Sequence, residues 1–358
     1  MTKQHNFYGM GLIRLLLAIS VIQAHTSSFL GYSIANGLVA VQVFYIFSGF
    51  YMFMILTEKY TSIKSFYKSR FLRIFPTYLI ITIPLLIASL SFGKTYSENF
   101  SILNIYSQIF IIFTNIFIFF QDIVMFLAVN TDDGTLFFTK SFLKESFPLY
   151  KLLITPQAWT LGVELTFYIL VPFIVKFKTK TIFFIIFASF FLRLCAGIYG
   201  LNHDPWTYRF FPFEIALFLL GGVSYRLYRK IRNIHLGRTP YFITSISILS
   251  IIFFNQLQNI IDSTAYRFIY YFLFSAALPF IFYASKCNIN DRFIGDLSYP
   301  VYISHMAVIY LLSKTIPDYL HILFENKLSC LPAAFISIVV AIIINRYMQS
   351  KVDKIRSN

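Results

Sequence analysis

Charge is what this chain has least of. Only 13% of its 358 residues are charged, against 58% hydrophobic and 20% aromatic, which leaves too few polar side chains to cover a soluble domain of that length. Acidic residues are scarcest: 15 Asp and Glu stand against 30 Lys and Arg, for a net charge of +15. The cations sit in short clusters between apolar runs, the pattern of cytoplasmic loops beside membrane spans, so no nucleic-acid partner is expected. Cysteine is rare as well. Cys195, Cys287 and Cys330 are odd in number and widely spaced, which supports neither a disulfide framework nor a metal-ligand motif, and no metal is expected. Gly/Ser linkers, low-complexity tracts and internal repeats are missing, so residues 1–358 read as a single transmembrane domain with no appended soluble domain. The first apolar run lacks a small-residue cleavage signature and reads as a retained span rather than a signal peptide.

What is present is a series of long apolar runs, near residues 8–28, 37–57, 74–92, 158–175, 181–200, 209–227, 240–257, 266–285, 297–313 and 329–347. Each approaches the roughly 20 residues that cross a bilayer. They predict an all-α polytopic membrane protein with about ten transmembrane helices in one bundle. A further apolar stretch, 102–128, is ambiguous by itself, and the basic connections are used to judge it. YKSRFLR at 67–73, KFKTK at 176–180, RLYRKIRNIHLGR at 226–238 and RYMQSKVDKIR at 346–356 all fall on one side if that stretch makes no net crossing. By the positive-inside rule, 102–157 is then an extracytoplasmic or partly embedded excursion, and both termini are cytoplasmic.

Two ionisable residues interrupt the first run, Arg14 and His25. Both are costly in hydrocarbon. Eleven residues is close to three helical turns, so they share a face, roughly 16 Å apart along the axis. That suits an anion grip near one membrane surface and proton chemistry near the other; a snorkelling Arg with an interfacial His is the alternative. Ser48-Gly49-Phe50 in the second run reads first as a packing seam, since small residues let helices approach. Arg70 and Arg73 lie three apart at the entrance of the third run, with Pro76 just inside. Paired guanidinium forks fit phosphate oxygens, although basic loops of this kind also arise from topology alone. Glu164 lies beyond Trp159 in the run that opens TPQAWTLGVEL. A carboxylate at that depth needs a partner: His25, whose imidazole it would orient, or a cation such as Arg193 or Arg209. In the ninth run Tyr302 and His305 are i, i+3 neighbours; a satisfied structural histidine is the plainer reading of His305. The polar connection from Asn202 to Glu214 reads either as a surface that touches a hydrophilic acceptor or as a solvated loop with an ion pair.

In order along the chain these pieces resemble the membrane-bound acyltransferase-3 family, whose bacterial members O-acylate surface polysaccharides and peptidoglycan. Arg14 and His25 match the family's Arg-x10-His pattern, and AVQVFYIFSGF from Ala40 to Phe50 matches its second-span signature. Arg70, Arg73, Ile74 and Pro76 meet Arg-x-x-Arg-Ile-x-Pro. Trp159, Thr160, Leu161, Val163, Glu164, Leu165 and Tyr168 follow Trp-Ser-Leu-x-Val-Glu-Glu-x-x-Tyr, and Ser298, Tyr299, Tyr302 and His305 follow Ser-Tyr-x-x-Tyr-x-x-His. Gln42 stands where many members carry Asp, Thr160 replaces Ser, and Leu165 replaces the second Glu, leaving Glu164 as the one carboxylate of that motif.

The resemblance implies a bacterial cytoplasmic-membrane O-acyltransferase using acetyl-CoA, or another acyl-CoA, as donor substrate. Its acceptor would be a surface polysaccharide or lipid-linked glycan such as O-antigen, capsule or exopolysaccharide. Arg70 and Arg73 would hold the donor phosphates and Arg14 would line the path of the pantetheine arm. His25 and Glu164 would carry the catalysis, with Ser48, Trp159, Tyr302 and His305 as supporting residues. Direct transfer ranks ahead of an acyl-enzyme on His25 or Ser48, which lack a visible nucleophile–base spacing. The bilayer is the protein's surroundings, and a homo-oligomer is compatible with the sequence. The alternatives are acylation of a small lipophilic acceptor, and a glycolipid transporter without chemistry.

Overall fold

The computed structural model describes residues 9–26, 32–92, 94–260, 264–315 and 330–357. In chain order the helices are α1 (Gly11–Ala24), α2 (Gly37–Glu58), α3 (Ile63–Phe92), α4 (Lys94–Ile102), α5 (Ile105–Phe117) and α6 (Gln121–Val124). After the strands β1 (Leu127–Val129) and β2 (Leu136–Phe138) come α7 (Trp159–Ile174), α8 (Thr179–Ile198), α9 (Phe211–Ile231), α10 (Thr239–Ile252), α11 (Phe254–Ile260), α12 (Thr264–Ser285), α13 (Ile289–Thr315) and α14 (Cys330–Ser357). The chain forms two compact units, Met1–Ser69 with Leu217–Asn358, and Arg70–Ala216.

In the first unit α1 packs against α2 and α13, and α13 against α14. The α1–α13–α14 core is built from Ala18, Ile22, Leu297, Val301, Ala333, Ala334 and Ala341, and its alanines let the helix backbones approach closely. The seam read at Ser48-Gly49-Phe50 is a packing contact: a Cβ on Gly49 would fall 1.7 Å from the Phe218 carbonyl oxygen. Asn36 starts α2 by accepting the Val39 amide at 2.9 Å, the usual work of an Asn cap.

The second unit is tied by polar side chains. The Tyr78 hydroxyl donates to the Asn115 carbonyl at 2.6 Å and receives the Gln121 amide at 3.0 Å. The Asn115 side chain donates to Leu152 and accepts from Ile154, at 3.0 and 2.8 Å. β1 and β2 pair antiparallel with Leu127 opposite Phe138 and Val129 opposite Leu136.

Among the described residues six helices are long and apolar enough to cross a membrane: α2, α3, α7, α8, α12 and α14. The pair α10–α11, bent by 66°, is a seventh if it forms one span. The other expected spans also fall on helices: 8–28 on α1, which has 14 residues, 209–227 on α9 and 297–313 on α13. The first is shorter than expected because Met10 takes a left-handed conformation at φ 59° and His25 caps the other end. The third begins at Ile63, well before residue 74, because its first turns are amphipathic: Phe66 and Ser69 are buried while Lys64 and Lys68 are exposed. Arg70 and Arg73 therefore lie about two and nearly three turns inside a helix rather than at its start, with Pro76 in its interior. The ambiguous stretch 102–128 divides into the end of α4, the 13-residue α5, the four-residue α6 and a strand. A 13-residue helix rises about 20 Å, short of the roughly 30 Å of bilayer hydrocarbon.

Candidate functional site

Within the first unit the geometry centres on α1. Its opening amides are satisfied from outside the helix: Met10 N donates to Ser285 Oγ at 2.8 Å, and Gly11 N and Leu12 N donate to the two Asp291 carboxylate oxygens at 2.7 and 2.9 Å. A carboxylate there also complements the positive end of the helix. One turn on, the half-buried Arg14 guanidinium stands 5.7 Å from the centre of the Tyr51 ring, whose hydroxyl donates to the Gly9 carbonyl. Arg14 is thus held at the capped end of α1.

His25 is the cap at the opposite end, its backbone amide donating to Ile22 O at 3.0 Å, and the residue is exposed. Its ring centre lies 5.3 Å from that of His305 on α13, the planes tilted by 33°. His305 is 0% exposed, and its Nδ1 bonds the Tyr302 carbonyl at 2.5 Å. Its Nε2 has no partner among the described residues. The structural-histidine reading therefore accounts for one ring nitrogen and not the other. The Tyr302 ring, packed edge-on against Phe44 at 6.2 Å, lies 5.7 Å from that of His305. Ser48 is buried in α2. The same helix carries Gln42, which accepts from the Tyr271 hydroxyl at 2.6 Å.

The second unit holds Arg70, Arg73, Trp159 and Glu164. The arginines are half-buried and three apart on α3, hence on one face. Glu164, half-buried on α7, accepts a hydrogen bond from the Tyr168 hydroxyl one turn on. The cations weighed as its partners each close on another carboxylate: Arg193 on Glu214 at 2.5 Å, and Arg209 bidentately on Asp204 at 2.6 and 2.8 Å. The Asn202–Glu214 connection thus contains an ion pair, Arg209 with Asp204, but it is not a solvated loop: Asn202 is its one exposed residue, the others being half-buried or buried. Trp159 is the floor of that pair, with the Arg209 guanidinium 4.3 Å above its ring and Tyr208 edge-on at 5.1 Å. Burial pushes the Tyr208 phenol up to about 12.

One group was missed by sequence reasoning. Asp122 on α6 is 4% exposed, its Oδ1 has no partner among the described residues, and burial pushes its carboxyl up to about 6. A Cβ on Gly162 of α7 would fall 2.8 Å from that oxygen. The signal available was a lone carboxylate inside the apolar stretch 102–128. Among the described residues no three His, Cys, Asp or Glu gather as a metal-ligand group, and the three cysteines are free.

A family model described as an acyltransferase domain, acyltransferase-3, matches residues 7–346. An uncharacterized protein of Aquifex aeolicus (strain VF5) is 26% identical over 210 residues, covering 57% of this chain and 90% of the relative. No solved structure matches.

Proposed function

Because this chain belongs to the acyltransferase-3 family, a family of membrane acyltransferases, we propose that it moves an acetyl group from cytoplasmic acetyl-CoA to a hydroxyl of an extracytoplasmic surface polysaccharide. The observation that carries this reading is that the family match, over 340 residues from 7 to 346, includes Arg14 and His25 at the two ends of one helix. The protein sits in the bacterial cytoplasmic membrane with ten spans and both termini inside. Residues 102–157 lie on the outer face, a placement supported by the shortness of α5.

In this account Arg70 and Arg73 hold the phosphates of the donor, and Arg14 lines the path of its pantetheine arm. His25 removes the proton of the acceptor hydroxyl as its oxygen attacks the thioester carbonyl. The new C–O bond forms, the C–S bond breaks, and the imidazolium returns its proton to the departing thiolate. Glu164 supplies the negative charge that stabilises the imidazolium. Tyr302 and Trp159 are the candidate donors to the developing oxyanion, and Ser48 has a supporting role.

The test is a steady-state assay of membranes with acetyl-CoA and a panel of acceptors from glycans to small lipophilic alcohols. Glycan acetylation, with KM for acetyl-CoA raised tenfold or more in Arg70→Ala and Arg73→Ala, is expected. Acetylation of the small alcohols alone would replace the acceptor. Glycan movement across the membrane without acetyl-CoA consumption would replace the enzyme with a transporter.

A further inference from the structure

His305 is one of the buried polar groups of the first unit that their surroundings only half explain. It is fully buried on α13, and its Nδ1 faces the Tyr302 carbonyl. A carbonyl oxygen only accepts, so Nδ1 carries the ring proton and Nε2 of the neutral ring is a bare lone pair. That nitrogen is buried without a partner among the described residues. Buried polar atoms are nearly always satisfied, and one that is not calls for a reason. The neighbouring ring is His25, 5.3 Å away between centres.

Subtracting about 1.1 Å of ring radius on each side leaves roughly 3 Å between facing nitrogens when the rings are turned edge to edge, which is hydrogen-bond range. His25 is exposed at the end of α1, and the edge-to-edge arrangement is reached by a change in its second side-chain torsion, which has a broad profile in histidine. His305 is gripped by its own helix and cannot follow. One imidazole is buried and held through Nδ1, with its Nε2 lone pair unshared among the described residues; the other stands exposed at the end of α1.

We propose that His305 is a positioning residue for the transfer reaction: its Nε2 accepts a hydrogen bond from an N–H of His25, which fixes the tautomer of His25 and leaves its other nitrogen as the base. This rests on the acyltransferase reading above and refines it. Glu164 contributes charge to the imidazolium, whereas His305 contributes the lone pair that decides which nitrogen of His25 is basic. No proton need leave His25 for this role, so no ion is created at the buried ring.

Two variants and two readouts test it, on purified protein in lipid nanodiscs. His305→Phe keeps a ring of similar size without an acceptor; His305→Gln places an amide oxygen close to the Nε2 position. In the wild type, 15N spectra of ring-labelled histidine are expected to show His305 protonated at Nδ1 and a His25 N–H bonded to nitrogen, assigned by loss in His25→Ala. That bond is expected to vanish in His305→Phe. Turnover of acetyl-CoA with glycan is expected to fall about a hundredfold in His305→Phe at unchanged donor KM, and to recover to within about tenfold in His305→Gln. A folded His305→Phe protein with turnover within threefold of wild type would overturn the proposal. So would wild-type spectra with no bond between the two rings, or a His305→Gln protein that folds and is as slow as His305→Phe. If the bond is present but the wild type transfers no acyl group to any acceptor, the pairing stands and the acyltransferase reading fails.

Discussion

Gly11 and Asp291 meet backbone to backbone: a Cβ on Gly11 would fall 1.7 Å from the Asp291 carbonyl oxygen, while the Gly11 amide donates to the Asp291 carboxylate at 2.7 Å. This crossing locks the start of α1 to the start of α13. The other end of α1 carries His25, and α13 carries His305, so the crossing helps to fix the register in which the two imidazoles meet.

Gly11→Ala must push two backbones apart, because the clash is with main chain rather than with a side chain that can turn away. The expected loss is about 2 kcal/mol or more. Gly197→Ala is the control: a Cβ at that position in α8 meets nothing within 4 Å, and the change should be neutral or stabilise by about 0.5–1 kcal/mol. Melting temperatures in detergent decide between them.

Asp291→Ala removes the acceptor of two helix-end amides and should cost about 1 kcal/mol, with Asp291→Asn losing less because its amide oxygen still accepts. An equal loss in both variants, measured by the same melting assay, would mean that the negative charge rather than the hydrogen bonds matters.

Arg193 and Glu214 form a pair in which the carboxylate is completely buried. Glu214→Ala takes the carboxylate from a guanidinium that is largely out of solvent, and should destabilise by about 3–5 kcal/mol. Replacing both partners with apolar residues of similar size should recover much of this. Denaturation of the single and double variants provides the check.

Asp122 gives a pH dependence of stated sign. Its carboxyl rises from 3.8 to about 6 in the folded protein, so between those values the folded state holds a proton that the unfolded state has lost. The favourable term is complete below about pH 4. It is lost as the pH rises through 6, a penalty of about 3 kcal/mol at neutrality. Asp122→Asn should therefore raise the melting temperature at pH 8 and leave it nearly unchanged at about pH 3, below both values. A gain of equal size at both pH values would contradict this.

How much of this was legible in the sequence varied with the physics of each feature. That Arg14 and His25 belong to one apolar segment was legible from the first run, and the eleven-residue interval is nearly three turns; that the helix stops at Ala24, with His25 as its cap, was not. Nor was the polar end of His305: the i, i+3 relation to Tyr302 says that the side chains are neighbours, but not that the Tyr302 carbonyl takes Nδ1 and strands Nε2. Hydropathy placed the start of α3 late because Lys64 and Lys68 dilute its amphipathic first turns. The hairpin escaped because its strands are three residues each, too short for an alternating pattern to register. The glycine at the crossing of α1 and α13 was visible as a residue, but its backbone partner lies about 280 positions away along the chain.

The central claim is transfer across the membrane with His25 as base, and its most direct test is sided. Inside-out vesicles are loaded with acceptor glycan and given labelled acetyl-CoA only on the outside, which is the former cytoplasmic face. Label is expected on the enclosed glycan with the wild-type protein, and to fall at least a hundredfold with His25→Ala at matched protein level. Label reaching the enclosed glycan equally well with His25→Ala would contradict the assignment of the base, and label that stays on acetyl-CoA with the wild type would contradict the account as a whole.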